Sequence, residues 1–154
     1  MTISLVRHAH AGRRSSWTEA DLDRPLNAKG RDQANAIAAL LRRRPVRRLL
    51  SSPALRCQQT VAPLVHHLGL TLELHDALAE GAPPEAAFTL VDGLVTADTE
   101  AVLCTHGDII PEVIARLADA GVPLDGPPTC AKGSIWELDV HDGRVVAARY
   151  IPPT

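Results

Sequence analysis

Thr2-Ile3-Ser4-Leu5-Val6-Arg7-His8-Ala9-His10 opens the chain, and how it is read decides the fold. Thr2 to Val6 is short, apolar and β-branched, which reads as a buried strand. It ends abruptly in charge at Arg7 and His8. The same pattern returns at Val46 to Ser51, Leu70 to Leu74 and Ala101 to Cys104. Each of the four is followed by a segment of different periodicity or composition.

Arg7 to Leu26 is polar and irregular, with Gly12, Ser15, Ser16 and Pro25. Long loops in compact domains tend to carry function. Asn27 is placed to cap a helix running to about Arg43, with Ala34, Ile37, Ala38 and Leu41 at helical spacing and Pro45 beyond its end. Pro53 marks the start of a second helix, which runs to Gly69. Pro83-Pro84 opens a third helix, to about Val95. A fourth runs from Asp108 to Ala120 and stops at Gly121. Gly121 to Cys130 reads as a loop. Ser134 to Val140 and Val145 to Ile151, joined at Asp142-Gly143, read as a hairpin.

Strands alternating with helices imply βαβ units. The expected fold class is α/β: a three-layer α/β/α sandwich with a mostly parallel central sheet and a C-terminal antiparallel hairpin. One domain over residues 1–154 is expected, since no repeat, linker or composition shift divides the chain.

Composition narrows the function. Apolar residues make up 45% and charged residues 22%, which is globular, and the net charge is −2. No global basic field points to nucleic acid. The basic cluster Arg42-Arg43-Arg44 with Arg47-Arg48 has no interleaved aromatic residues to stack bases, and cations suit a helix C-terminus. No run approaches the about 20 apolar residues of a membrane span, and no signal peptide is legible. Cys57, Cys104 and Cys130 read as free thiols of a reducing compartment, so a cytoplasmic location is expected.

In open α/β sheets, chemistry collects beyond the carboxyl ends of the strands. Those ends carry Arg7-His8-Ala9-His10, then Ser51-Ser52-Pro53 with Arg56, then a loop with Glu80, and Thr105-His106-Gly107-Asp108. Arginine binds phosphate oxygens through two parallel hydrogen bonds and stays charged. Arg7 and Arg56 can therefore clamp one phosphoryl group. A neutral imidazole is a competent nucleophile toward phosphorus, and nearby guanidinium groups should hold His8 neutral. His106 can stabilise charge on the transferring oxygens, and Glu80 can move a proton. His10 reads as a rim residue.

Other chemistries fit worse. His8 and His10 have the spacing of a metal pair, but the barrel that uses such a pair needs about 250 residues. A metallo-β-lactamase-like motif would need Asp at Gly12. A cysteine phosphatase would need Arg six residues after Cys104, where Ile110 stands. There is no phosphate loop of the Walker type and no GxSxG elbow. No metal and no cofactor is expected.

The ordered set resembles the histidine phosphatase superfamily, the relatives of phosphoglycerate mutase. The resemblance rests on Leu5-Val6-Arg7-His8, Arg24-Pro25-Leu26 with Gly30-Arg31 and Gln33-Ala34, Ser51-Ser52-Pro53-Ala54-Leu55-Arg56 with Gln59-Thr60, and Cys104-Thr105-His106-Gly107. The short length and Arg24-Pro25-Leu26 look like the SixA branch, which acts on phosphohistidine proteins. Ile109-Ile110-Pro111 and Ala131-Lys132-Gly133-Ser134-Ile135-Trp136 look like the phosphatase domain of actinobacterial MutT-type Nudix hydrolases.

The resemblance implies a phosphoglycerate mutase-like fold with His8 as the phosphorylated nucleophile. Arg7, Arg56 and His106 become the phosphate pocket, with Ala9 and Gly107 beside it and Glu80 near the acid/base position. Ala9 departs from the family's usual Gly. The expected substrate is a phosphorylated protein carrying phosphohistidine, with a nucleotide or other small phosphorylated metabolite as the alternative. A non-catalytic phosphate-binding module and a mutase are weaker readings. No nucleic acid or membrane partner is expected, and a monomer or weak dimer is.

Overall fold

The computed structural model describes residues 1–154. The strands are β1 (Thr2–Arg7), β2 (Arg48–Ser51), β3 (Leu72–Leu74), β4 (Ala101–Thr105), β5 (Leu124–Asp125), β6 (Ile135–His141) and β7 (Arg144–Ile151). The helices are α1 (Ala28–Leu41), α2 (Leu55–Leu68), α3 (Pro84–Thr96) and α4 (Ile110–Asp119). All seven strands form one sheet in the order β3-β2-β4-β1-β6-β7-β5. The pairs β2–β3, β2–β4 and β1–β4 are parallel, and β1–β6 and β6–β7 are antiparallel. The expected α/β sandwich with its terminal hairpin is what the chain forms.

The winding explains the layers. From β1 the chain moves outward to β2 and β3, then returns to β4 and crosses to β6. Parallel crossovers keep one hand, so reversing direction moves the covering helix to the other face. Accordingly α1 and α2 cover one face, packing Ile37, Leu41, Val61 and Leu64 against Val6, Leu49 and Val102. On the other face α3 and α4 pack Val91, Leu94, Val113 and Ile114 against Ile3, Leu5, Leu50 and Leu103. Neighbours such as Leu49 and Leu50 serve opposite faces, as the pleat requires. Each such side chain contributes about 1.5–3 kcal/mol when fully buried.

Several ends differ from the sequence expectation, each for a local reason. α1 stops at Leu41 because Arg42 to Arg44 turn the chain toward Pro45. β2 begins only at Arg48, since the Arg47 and Arg48 amides both donate to the Glu100 carbonyl. α2 begins at Leu55, not Pro53, because the Ala54 amide is taken by Ser52 Oγ at 3.2 Å. α4 begins at Ile110 rather than Asp108. The expected Gly121–Cys130 loop contains β5, which pairs with β7.

Candidate active site

Register brings the chemistry together. Arg7 lies opposite Thr105 across β1–β4, and Ser51 lies opposite Cys104 across β2–β4. The residues that follow each strand therefore emerge side by side. The His8 amide continues the ladder, donating to the Thr105 carbonyl at 3.0 Å.

The His8 side chain is 5% exposed. Its Nδ1–H donates to the Ala9 carbonyl at 2.9 Å, which fixes the tautomer and leaves the Nε2 lone pair free. Burial pushes its pKa down to about 3, with His106, Arg56 and Arg7 adding in the same direction against the Ala9 hydrogen bond. His8 is thus neutral at physiological pH, as a nucleophile must be.

His106 stands against it, ring centroids 5.4 Å apart and planes at 63°. His106 Nε2 is 2.8 Å from Ser52 Oγ and 3.6 Å from Cys57 Sγ. Those contacts orient the ring and leave Nδ1 buried without a hydrogen-bond partner. Arg56 is 1% exposed, yet its Nε also lacks a partner. Arg7 Nη1 donates to the Cys130 carbonyl at 2.5 Å, while its Nε is free. A buried polar group without a partner costs about 1–3 kcal/mol. Three such nitrogens beside one neutral histidine leave hydrogen-bonding capacity there that the protein itself does not use.

Two carboxylates answer these cations. Glu80 Oε2 accepts from Arg56 Nη2 at 3.2 Å, and both its oxygens accept from Arg14 Nη2 at 2.7 and 2.8 Å. Burial pushes Glu80 upward, but the Arg14 hydrogen bonds and charge, with His106 and Arg56, outweigh it and hold the carboxyl below its ordinary value. Asp21 pairs with Arg14, Arg24 and Arg56 at 3.1–3.2 Å. Burial opposes its ionisation as well, and the Arg24 hydrogen bond and Arg56 charge prevail.

The expected set Arg7, His8, Arg56, His106 and Glu80 therefore meets at one place. Ala9 is different from its expected role. Its amide donates to Thr60 Oγ1 at 2.9 Å, so it is spent inside the protein, and Ala9 serves the site through its carbonyl. Gly107 is a matter of space: a Cβ there would lie 2.7 Å from Arg7 Cζ. His10 is a brace, with Nδ1 2.6 Å from Asn27 Nδ2 and its amide donating to Gln33 Oε1.

Sequence reasoning passed over Asp21, Arg14, Ser52 and Gln33. Ser52 and Gln33 lay within quoted motifs, which was the available signal; Asp21 and Arg14 stood in a loop with none. Within the basic cluster Arg44 pairs with Glu137 and Arg48 with Glu73, while Arg42, Arg43 and Arg47 are exposed. Cys57, Cys104 and Cys130 are buried and free. No three His, Cys, Asp or Glu side chains are gathered so as to hold a metal ion. No helix is long and apolar enough to cross a membrane.

Comparison with known proteins bears on the family and the fold. The model of the histidine phosphatase superfamily (branch 1) matches residues 3–83. An 8-oxo-(d)GTP phosphatase of Mycolicibacterium smegmatis is 33% identical over 155 residues, covering 99% of this chain. The chain spans 48% of that relative's length. Among solved structures, the protein histidine phosphatase SixA complexed with tungstate is similar with a TM-score of 0.76 at 22% identity, covering 100% of this chain and 96% of that one. A mycobacterial glucosyl-3-phosphoglycerate phosphatase gives 0.74 at 22% identity, covering 98% and 97%. At that identity both likenesses speak to the fold.

Proposed function

The chain belongs to the histidine phosphatase superfamily, and from that premise we propose that it is a histidine-dependent phosphatase working through a covalent phosphohistidine on His8. The observation that carries this reading is the set of buried, partnerless nitrogens of Arg7, Arg56 and His106 around a neutral His8. Phosphoryl transfer asks the protein mainly for position and for charge on the equatorial oxygens.

In the first step the His8 Nε2 lone pair attacks phosphorus in line, and the bond to the leaving group breaks. Arg7, Arg56 and His106 hold the three non-bridging oxygens. In the second step water attacks the phosphorus, the P–N bond breaks, and its electron pair returns to Nε2. Glu80 rests as a carboxylate, suited to taking a proton from that water. Incoming phosphoryl oxygens compete with Glu80 for Arg56. Over a full cycle the proton that Glu80 takes from that water is the one passed to the leaving group, so the carboxyl keeps no net proton.

The expected substrate is a phosphohistidine-bearing protein, as in the SixA branch. The short connection between Glu80 and Pro84 supports an open mouth that a protein side chain can enter. A second reading, a nucleotide or another small phosphorylated metabolite, is supported by the 33% identity to a nucleotide phosphatase over nearly all of this chain.

Acid- and base-quenched turnover tests the mechanism. Wild-type protein should trap a phosphoprotein that acid destroys and base preserves, and His8→Ala should trap none and lose turnover while remaining folded. Undiminished activity in a folded His8→Ala protein would sink the mechanism.

A further inference from the structure

Four side chains beside the nucleophile close a ring of alternating charge. Arg14 Nη2 donates to Glu80 Oε1 and Oε2 at 2.8 and 2.7 Å. Glu80 Oε2 accepts from Arg56 Nη2 at 3.2 Å. Arg56 Nη2 also lies 3.1 Å from Asp21 Oδ2, and Asp21 Oδ1 lies 3.2 Å from Arg14 Nε. Separate stretches of chain meet in this ring. Arg14 and Asp21 come from the β1–α1 connection, Arg56 from the first turn of α2, and Glu80 from the β3–α3 connection.

The ring is graded in depth. The Arg56 side chain is 1% exposed, those of Asp21 and Glu80 36% and 41%, and that of Arg14 61%. Exposed ion pairs contribute little to stability, so the fold has small need of Arg14. Yet Arg14 spends two nitrogens on two carboxylates that both reach Arg56. The Glu80 backbone is anchored without it. The Gly81 amide donates to Asp108 Oδ2 at 2.8 Å, and Thr105 Oγ1 donates to the Leu78 carbonyl at 2.6 Å. Those bonds leave the Glu80 side chain free to turn, and Arg14 and Arg56 are what hold it.

The two holders are not equivalent. Arg56 is a proposed phosphate ligand, and phosphoryl oxygens compete with Glu80 for it. Arg14 stands at the opposite corner of the ring, so its own contacts survive that competition. We propose that Arg14 is a positioning residue for Glu80: it keeps the carboxylate in place for the attacking water while the phosphoryl group occupies Arg56.

The proposal rests on the reading of this site as a His8 phosphatase in which Glu80 takes a proton from water. In that step the water oxygen bonds to phosphorus, the P–N bond breaks with its electron pair returning to His8 Nε2, and the water proton passes to Glu80. Arg14 touches none of the reacting atoms and acts through the place and charge of one carboxylate. Burial pushes the Glu80 carboxyl up, and the Arg14 hydrogen bonds and charge, the next largest influences, bring it below its ordinary value. The other charged and titratable groups around Glu80 are Arg56, Asp21 across the ring, and His106 and Asp108 after β4. Cys57 of α2 adjoins them, its Sγ 3.6 Å from His106 Nε2.

The pH dependence of turnover on 4-nitrophenyl phosphate tests the proposal. That leaving group needs no proton, so breakdown of phospho-His8 should limit kcat, and the acid limb of kcat reports the group that activates water. Glu80→Gln should lose the limb and about 100-fold in kcat, which assigns the limb to Glu80 rather than to His106, Asp108 or Cys57. Arg14→Met should move the limb up by about one pH unit, because an opposite charge at hydrogen-bond distance is withdrawn. It should also lower kcat at neutral pH about tenfold through the loosened carboxylate, with kcat/KM, set by the first step, changed much less. Arg14→Lys restores the charge but cannot span two carboxylates with one nitrogen, so it should return the limb and only part of kcat. The double variant should be no slower than Glu80→Gln alone, since the two residues act as a unit. An acid limb that stays in place in Arg14→Met, equal losses in kcat and kcat/KM, or a double variant slowed by both losses together would overturn the proposal. So would a Glu80→Gln protein that keeps the limb. Should Arg14→Met fail to fold, Arg14→Gln carries the same comparison. Turnover retained by folded His8→Ala would overturn the phosphatase reading and this proposal with it, whereas failure of the Arg14 comparison with His8→Ala inactive would overturn this proposal alone.

Discussion

His8, the proposed nucleophile, is kept neutral at a cost in stability at low pH. Its folded pKa of about 3 lies below the ordinary value of 6.5. Between those values the unfolded chain binds a proton that the folded chain refuses. Stability from this group is therefore complete above pH 6.5 and is lost as pH falls toward 3, at up to about 1.4 kcal/mol per pH unit. His8→Asn removes the titration, so from pH 6.5 to 4 its urea midpoint should fall less steeply than that of wild type. Parallel curves would show that His8 titrates normally. Gly107 acts at the same scale by having no side chain. In Gly107→Ala the new Cβ, 2.7 Å from Arg7 Cζ, must displace the guanidinium. We expect kcat/KM to fall about 100-fold, as for the loss of one oxyanion donor, with the melting temperature little changed. Residue types alone made His8, Arg7, Arg56 and His106 legible, because a charged residue directly after a buried strand has few structural explanations. Asp21 was not legible, because its relevance comes from the arginines that fold around it.

The element that sets the geometry of the mouth is the connection from β1 to α1. Its end was readable: Asn27 is the N-cap, with Oδ1 accepting from the Gly30 amide at 2.9 Å. Its interior was not, since of its two 3-10 turns Asp21–Asp23 is held by Arg56 of α2, and Arg14–Ser16 is tied through the Arg14 side chain to Glu80. The helix starts assigned to Pro53 and Asp108 came early for a related reason. Ser52 and His106 use the preceding residues to shape the site, and no propensity records that use. Gly30 joins helix to loop, for a Cβ at that position would lie 1.9 Å from the His10 carbonyl oxygen. Asn27→Ala should cost about 1 kcal/mol, the usual loss of a side-chain cap. Gly30→Ala should cost more, since the backbone of His10 has to move, and it should raise KM as well by shifting the strap that carries Arg14. Denaturant melts and a KM measurement on both variants check the order. A Gly30→Ala protein milder than Asn27→Ala would mean that the loop yields easily.

Over the whole molecule, the sheet separates function from support. The carboxyl ends of β1, β2 and β4 carry the proposed catalytic groups, while the opposite edge holds a cleft of about 390 Å³ lined by Thr2, Leu124, Glu137, Asp139 and Arg149. That cleft lies away from the end of the sheet where the proposed catalytic residues gather. The mostly parallel sheet and its terminal hairpin followed from the alternation of elements, whereas the strand order did not, and β5 was missed because two residues carry no period. Glu137 is the keystone of the supporting end. It is 5% exposed, pairs with Arg44 beyond α1 and accepts from Arg149 of β7 at 2.6 Å. It thus ties a helix end and the hairpin to β6. Glu137→Ala leaves two arginines that can turn toward water, so the loss is smaller than for a fully enclosed pair, about 1–3 kcal/mol. No element that holds His8, Arg56 or His106 depends on that ion pair. The variant should therefore melt earlier in urea yet keep kcat/KM within about twofold of wild type at 25 °C, because mutations far apart with no shared partners act independently. A fall in turnover under conditions where the variant is still folded would show that the two ends of the sheet are coupled through β6 and β1.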